Sequence, residues 1–289
     1  ACGFTPVEAI QMTTLNVAEH FHLDHVLGGI APGRLADMVL VGDLSAFRPE
    51  TVVCGGAVVL ESGRLVKAPR PHAFSARSLN TVRLARRLAP SDFIIAAPPE
   101  AANACVRVIE MVTDLVTAER HLDLPAAHAQ IKADPAAGLC KIAAVDRTHQ
   151  PGKLFTGLIR GFGLARGAAA CSAAWDTSDI VVVGADEADM ACAVNRIADL
   201  QGGAVLCENG RVLAEIAMPI FGIASDVPVA TLAAQLQEFN RAICGLGVTF
   251  PDPLLSLITL TGAAIPYLRI CEEGLVNLKD GKRLELFMS

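Results

Sequence analysis

The densest chemical functionality in this sequence lies in Trp175-Asp176-Thr177-Ser178-Asp179. Two carboxylates and two hydroxyls sit there between apolar runs that end at Ala174 and begin at Ile180. Polar groups buried without partners cost a few kcal/mol, so the stretch must be solvated, hydrogen-bonded or functional. Asp176 and Asp179 are the candidate catalytic residues, as general acid–base groups. The same residue types also cap turns by accepting from nearby backbone amides. Trp175, the one tryptophan, is expected to be a packed aromatic rather than an open stacking platform.

Three other patterns imitate chemistry. His20-Phe21-His22, with His25 close by, has the spacing of a metal pair on a strand, where positions two apart share a face. On a helix those positions diverge by about 200°. A helix end, where positive charge suits the dipole, is the expected setting. Gly161-x-Gly163-x-x-x-Gly167 is one residue too long for a dinucleotide loop and lacks the acidic strand end that would follow it. Tight turns and close strand packing are expected instead. The cysteines number 9, an odd count, and no two lie within four positions of each other. They read as free thiols in a reducing cytoplasm rather than a disulfide framework or a zinc site.

The elements that must position these residues follow from local signals. Thr5-Pro6-Val7-Glu8 is a helix start with a capping box and proline at the first helical position. One or two amphipathic helices are expected to about His22, then a Pro-Gly turn and a strand over Met38 to Val41. The basic stretch from 72 to 90 suggests a linker and a surface helix with a solvated charged face. A strand is expected within 105–120, a loop over 121–138, and a short apolar strand from Lys141 to Val145 followed by a turn. The stretch from Phe155 begins as a strand, and Ile180 to Val183 is another. Asp186 opens a helix that ends near Gly202, and Asn209-Gly210 closes a hairpin. Ser225-Asp226 reads as the N-cap of a helix from about Val229 to Cys244. Leu254 to Ile265 is apolar and fits either a buried helix or a strand, and two short strands are expected at 274–277 and 284–287.

Bulk properties bound the function. With 289 residues, 52% hydrophobic and 19% charged, the chain has material for one large domain or two ordinary ones. A net charge of −6 without a basic run argues against a nucleic-acid surface. No apolar run approaches the ~18 residues of a membrane span, and no signal sequence is expected.

Two blocks carry a family resemblance. TLNVAEHF (Thr14 to Phe21) followed by IAPGRLADMVLV (Ile30 to Val41) resembles the end of an amidohydrolase-superfamily enzyme, where the last barrel helix leads into a small β-domain. Asp37 is the aspartate that recurs beside that strand. Further on come Gly157-Leu158-Ile159-Arg160-Gly161-Phe162-Gly163-Leu164, the 175–179 stretch, Ala188-Asp189-Met190-Ala191, Gly202-Gly203-Ala204, Pro219-Ile220-Phe221-Gly222 and Ser225-Asp226. Their order is similar to that in bacterial adenine deaminases. The resemblance implies an α+β fold. Residues 1–70 would be the last barrel helix and β-domain strands, and 71–289 the C-terminal domain of the adenine deaminase type.

The resemblance also implies deamination of adenine to hypoxanthine and ammonia by a metal-activated water, with manganese or iron at the mouth of a (β/α)8 barrel. The metal ligands lie on barrel strands outside this sequence, so the chain alone is expected to bind none of these metals and to be inactive. Adenine or a related purine is the expected partner of the longer protein. Further copies of the chain are also expected, but neither nucleic acid nor membrane. Where family members read His-Asp-Ser-His-Asn, this sequence has Trp175-Asp176-Thr177-Ser178-Asp179. Asp176 alone is unchanged and both histidines are gone, which no Trp or Ser can replace as a proton shuttle. Two other readings therefore stand beside the deaminase: a non-catalytic ligand-binding or assembly domain, or an amidohydrolase acting on another purine or cyclic amide.

Overall fold

A computed structural model describes residues 3–68 and 72–288. Cys2 and the expected domain boundary at 70–71 lie outside the described residues. The chain divides into two compact units, 1–73 and 74–289.

In the first unit the capping box forms as its residues dictate. The Thr5 hydroxyl accepts the Glu8 amide at 3.3 Å, and the Glu8 carboxylate accepts the Thr5 amide at 2.7 Å. This starts α1 (Pro6–Thr13), which α2 (Leu15–His20) follows. A four-stranded antiparallel sheet comes next, β1 (Met38–Val41), β2 (Pro49–Cys54), β3 (Ala57–Glu61) and β4 (Arg64–Leu65), in sequence order. Asp37, just before the first strand, accepts the amide of Gly55 in the β2–β3 turn at 2.6 Å. Ala18 is the one buried residue among those described in this unit.

The second unit is built on an eight-stranded mixed sheet. Its elements begin with α3 (Ala76–Leu79), β5 (Ile95–Ala96), β6 (Asn103–Met111), β7 (Thr117–Pro125) and β8 (Gln130–Ile131). Next come β9 (Leu139–Asp146), β10 (Leu154–Arg160), β11 (Ala168–Cys171), β12 (Asp179–Gly184) and α4 (Glu187–Leu200). They are followed by β13 (Gly203–Glu208), β14 (Arg211–Ala217), α5 (Val229–Gly245) and α6 (Pro253–Ile258). The last are β15 (Leu268–Cys271), β16 (Gly274–Asn277) and β17 (Lys282–Leu284). The large sheet runs β14-β13-β11-β12-β9-β10-β6-β7, and only the β6–β10 pair is parallel.

Alternation along the central strands divides the core between two faces. Cys140, Ile142 and Ala144 of β9, with Val181 and Val183 of β12, join a cluster containing Phe239, Ile243, Leu257 and Leu268 from α5, α6 and β15. Ala143, Val145, Ile180 and Val182 point the other way, into a cluster with Met190, Val194 and Ile197 of α4. Because both faces are covered, every residue of β9 and β12 is buried. Chains of this kind read as continuous apolar runs rather than alternating ones.

Several expectations change. The 121–138 region is not a loop: β7 continues to Pro125, because His121 and Asp123 face outward while Leu122 and Leu124 are half-buried, the pattern of an edge strand. Ala168–Cys171 is a strand although alanine has little strand preference, because small side chains fit between two packed layers. The basic stretch holds only the short α3, and the chain then runs extended, with Val82 and Leu88 buried. Leu254 to Ile265 starts as α6 and closes in a 3-10 turn. Ser225-Asp226 does not cap α5, whose first turn follows Pro228 without a side-chain cap. At the C-terminus, β15 adds an unexpected strand and the last strand lies at 282–284.

Candidate functional site

The chain leaves the sheet after Cys171 and re-enters it at Asp179, so the five candidate residues form the crossing between β11 and β12. The two aspartates are three positions apart, yet they occupy opposite environments. Asp176 is exposed, and its Oδ2 accepts the Ala263 amide at 2.6 Å, pinning the crossing to the turn after α6. Replacing Asp176 with alanine is expected to remove this tie and cost about 1 kcal/mol, measured by urea unfolding. Thr177 turns inward, and its Oγ1 accepts the Asp179 amide at 3.3 Å. Trp175 is 56% exposed, so it is not the packed aromatic the sequence suggests.

Asp179 is 1% exposed and stands opposite Asp146 of β9. Burial pushes its carboxyl up to about 6. The Thr177 hydrogen bond opposes that rise, and the charges of Glu272 and Asp146 add to it. Its Oδ2 is buried with no hydrogen-bond partner. Asp146 is equally buried but behaves oppositely. Burial raises its carboxyl, but the amides of Thr148, Gln150 and His149 more than offset this, at 2.7, 2.5 and 3.0 Å, and hold it below the usual carboxylate range. Hydrogen bonds to a carboxylate favour its charged form, and bare desolvation disfavours it.

Arg147 underlies the crossing, and sequence reasoning missed it. Its amide donates to the Ser178 carbonyl at 3.2 Å, and its carbonyl accepts the Arg83 amide at 3.0 Å. Its Nη1 donates to the Phe221 carbonyl at 3.2 Å, while Nε is buried without a partner. Burial pulls this guanidinium down, and the charge of Asp179 works against that. Gly222 makes room for it: a Cβ there would lie 2.8 Å from Nη1, and its φ of +72° is left-handed. Ser172 completes the support, accepting the Gly203 amide at 2.8 Å and donating to the Gly222 carbonyl at 2.6 Å. Chemically, a carboxyl titrating near 6 can take or give a proton at neutral pH. Enclosed as it is, Asp179 does so inside the fold, and the exposed groups beside it are Asp176 and Trp175.

The other patterns resolve as architecture. Gly161, Gly163 and Gly167 have φ of +83°, +96° and +72° and close turns against Met111, Gly247 and Cys207, not a phosphate loop. His20 is the last residue of α2, and His22 has φ of +57° in the turn beyond it. Among the arginines of the basic stretch, Arg86 makes a two-pronged pair with Asp92 at 2.7 and 2.6 Å, and Arg87 pairs with Asp199 at 2.8 Å. A second unforeseen charge, Lys141, is 1% exposed within β9 and donates to the Phe93 carbonyl at 2.8 Å and Glu187 at 2.6 Å. Among the described residues, no three His, Cys, Asp or Glu side chains are grouped to hold a metal ion. No helix is long and apolar enough to cross a membrane among the described residues.

Residues 114–282 match the adenine deaminase C-terminal domain, and residues 1–59 match the amidohydrolase family. The chain is 37% identical over 286 residues to the adenine deaminase of Moorella thermoacetica, covering 98% of this chain and 48% of that protein. It is 34% identical over 284 residues to the adenine deaminase of Desulforamulus reducens, covering 97% and 47%. It is 32% identical over 287 residues to that of Clostridium botulinum strain Langeland, covering 99% and 48%. The chain spans about half the length of the curated relatives it matches.

Proposed function

The chain belongs to the adenine deaminase C-terminal domain family, and from that premise we propose that it is the C-terminal half of a hydrolase that converts adenine and water to hypoxanthine and ammonia. In this reading residues 1–73 carry the last barrel helix and β-domain strands of an amidohydrolase, and residues 74–289 form the appended α+β domain. The observation that carries it is the first unit's want of a core. Among the described residues Ala18 alone is buried there, while Phe4, Val7, Phe21, Ile30, Leu35 and Leu65 are each more than half exposed. Burial contributes roughly 25 cal/mol per Å² of apolar surface, and a unit of this size cannot offset its chain entropy with so little. The covering surface is supplied by the half of the relatives' length that this chain does not match. The metal requirement of the reaction, manganese or iron, falls on residues of that half. The assembled protein is a cytoplasmic homo-oligomer in this reading, acting on adenine or a related purine.

A second reading rests on Trp175 and Ser178, which stand where the resemblance expects histidines, and on the enclosure of Asp179. It makes residues 74–289 a non-catalytic ligand-binding or assembly domain. Ammonia release from adenine separates the two. The protein expressed from its reading frame extended upstream of Ala1, supplied with Mn²⁺ or Fe²⁺, is expected to release ammonia, and residues 1–289 alone none. Release by the isolated chain would contradict the division of labour proposed here. A folded, metal-loaded longer protein without turnover on adenine would favour the non-catalytic reading, and turnover on another purine or cyclic amide would reassign the substrate.

A further inference from the structure

We infer that Cys192 and Cys207 form a redox-active dithiol that a hydroperoxide closes into an intramolecular disulfide between α4 and β13. Both are free thiols, and their sulfurs lie 2.8 Å apart. They come from different elements: Cys192 faces out of α4 far enough to be half-buried, and Cys207 is fully buried on the face of β13 that packs against that helix. A disulfide requires about 2.0 Å between sulfurs, so the pair closes with less than an ångström of approach and no change of topology. The inference is independent of the deaminase reading.

The two thiols have distinct roles. Burial, with Cys192 as a further cause, pushes the Cys207 thiol above its usual range, so Cys207 stays protonated and directs its S–H toward the Cys192 sulfur. Cys192 is the half-buried member of the pair. The other buried thiols with recorded partners meet backbone: Cys140 donates to the Leu164 carbonyl at 3.2 Å, and Cys171 accepts the Ala173 amide at 3.4 Å.

The chemistry balances in two steps. The Cys192 sulfur attacks one peroxide oxygen, the O–O bond breaks, and the alcohol or water leaves with a proton, giving a sulfenic acid. The Cys207 sulfur then attacks the sulfenic sulfur, the S–O bond breaks, and water leaves with the Cys207 proton. Two thiols lose two electrons and two protons, and the hydroperoxide is reduced to alcohol and water.

The test is a hydrogen peroxide titration of the full chain, followed by alkylation of remaining thiols and peptide mass mapping without reduction. The expected result is a Cys192–Cys207 cross-linked peptide, lighter by two hydrogens, that forms before adducts at the exposed Cys54 and Cys244. Dithiothreitol should remove it, together with an upward shift of Tm in the oxidised protein. Cys207→Ser should abolish the cross-link and leave a sulfenic acid at Cys192 that dimedone traps. Recovery of both Cys192 and Cys207 as alkylated thiols from wild-type protein already oxidised at Cys54 and Cys244 would overturn the inference. So would cross-linking of either one to a different cysteine. Because the decisive measurement is on the unmutated chain, a variant that fails to fold does not affect it.

Discussion

Arg269→Met is expected to destabilise the chain by about 3 kcal/mol, read from the shift in urea midpoint at pH 7. Arg269 is 2% exposed, and among the described residues no carboxylate pairs with it. Its Nε donates to the Ile265 carbonyl at 3.0 Å, and its Nη1 to the Thr117 hydroxyl at 3.0 Å. Its Nη2 donates to the carbonyls of Leu115 at 2.7 Å and Pro266 at 3.1 Å. It thus stitches the start of β7 to the turn before β15. Two effects compete. Burial without a counter-charge pulls the guanidinium down to about 10, and removing the charge relieves that penalty. Against it, methionine removes the donor to the Thr117 hydroxyl and to the half-buried carbonyls of Ile265 and Leu115, at roughly 1–3 kcal/mol for each buried group left unpaired, while the exposed Pro266 carbonyl keeps the Thr117 amide at 3.2 Å. These losses together outweigh the relief. Lysine keeps the charge but cannot reach all four acceptors, so Arg269→Lys should fall between methionine and wild type. A methionine variant as stable as wild type would mean that the carbonyls re-pair on their own.

Asp179→Asn is expected to change the pH dependence of stability rather than its value at one pH. The folded carboxyl is raised from 3.8 to about 6, chiefly by burial. A raised carboxyl binds its proton more tightly in the folded state, so its stabilising contribution is complete below about pH 4 and is lost as pH rises through about 6. Two units correspond to roughly 3 kcal/mol. Asparagine does not titrate. The stability of the variant relative to wild type should therefore improve by up to about 3 kcal/mol between pH 4 and pH 7, and stay level above that. Urea denaturation of both proteins at pH 4, 5, 6 and 7 checks this. A constant difference across the series would show that Asp179 ionises at its ordinary value in a hydrated site. Arg147 is the near counter-charge, so the comparison also reports how much of its own burial Asp179 offsets.

The positions of the two candidate aspartates show how far local reading reaches. Both were visible as polar residues between apolar strands, and either could cap or catalyse. Residue type and spacing do not distinguish an exposed backbone acceptor from a buried, proton-holding carboxyl. That difference arises because Asp179 enters the sheet beside Asp146, while Asp176 meets Ala263 across 87 positions of sequence. Arg147, Lys141 and Arg269 were illegible for a related reason. Lys141 begins an apolar run, Arg147 follows its polar end at Asp146, and Arg269 stands alone between Leu268 and Ile270. Their burial depends on carbonyls and carboxylates supplied by distant segments, such as Phe93 and Glu187 for Lys141. The alanine strand Ala168–Cys171 was hidden because strand preference is weak where close packing decides.

What the sequence determined by itself is local and periodic. The Thr5–Glu8 capping box, the Asp186 start of α4, the Asn209-Gly210 turn and the buried runs of β9 and β12 follow from neighbours a few residues away, as does the order of blocks that marks the family. Tertiary structure alone decided which polar groups lost water. It sealed Asp179, stranded Arg147 over Gly222, and brought the Cys192 and Cys207 sulfurs to 2.8 Å. Desolvation is set by what packs on top of a residue, and that surface comes from chain far away in sequence.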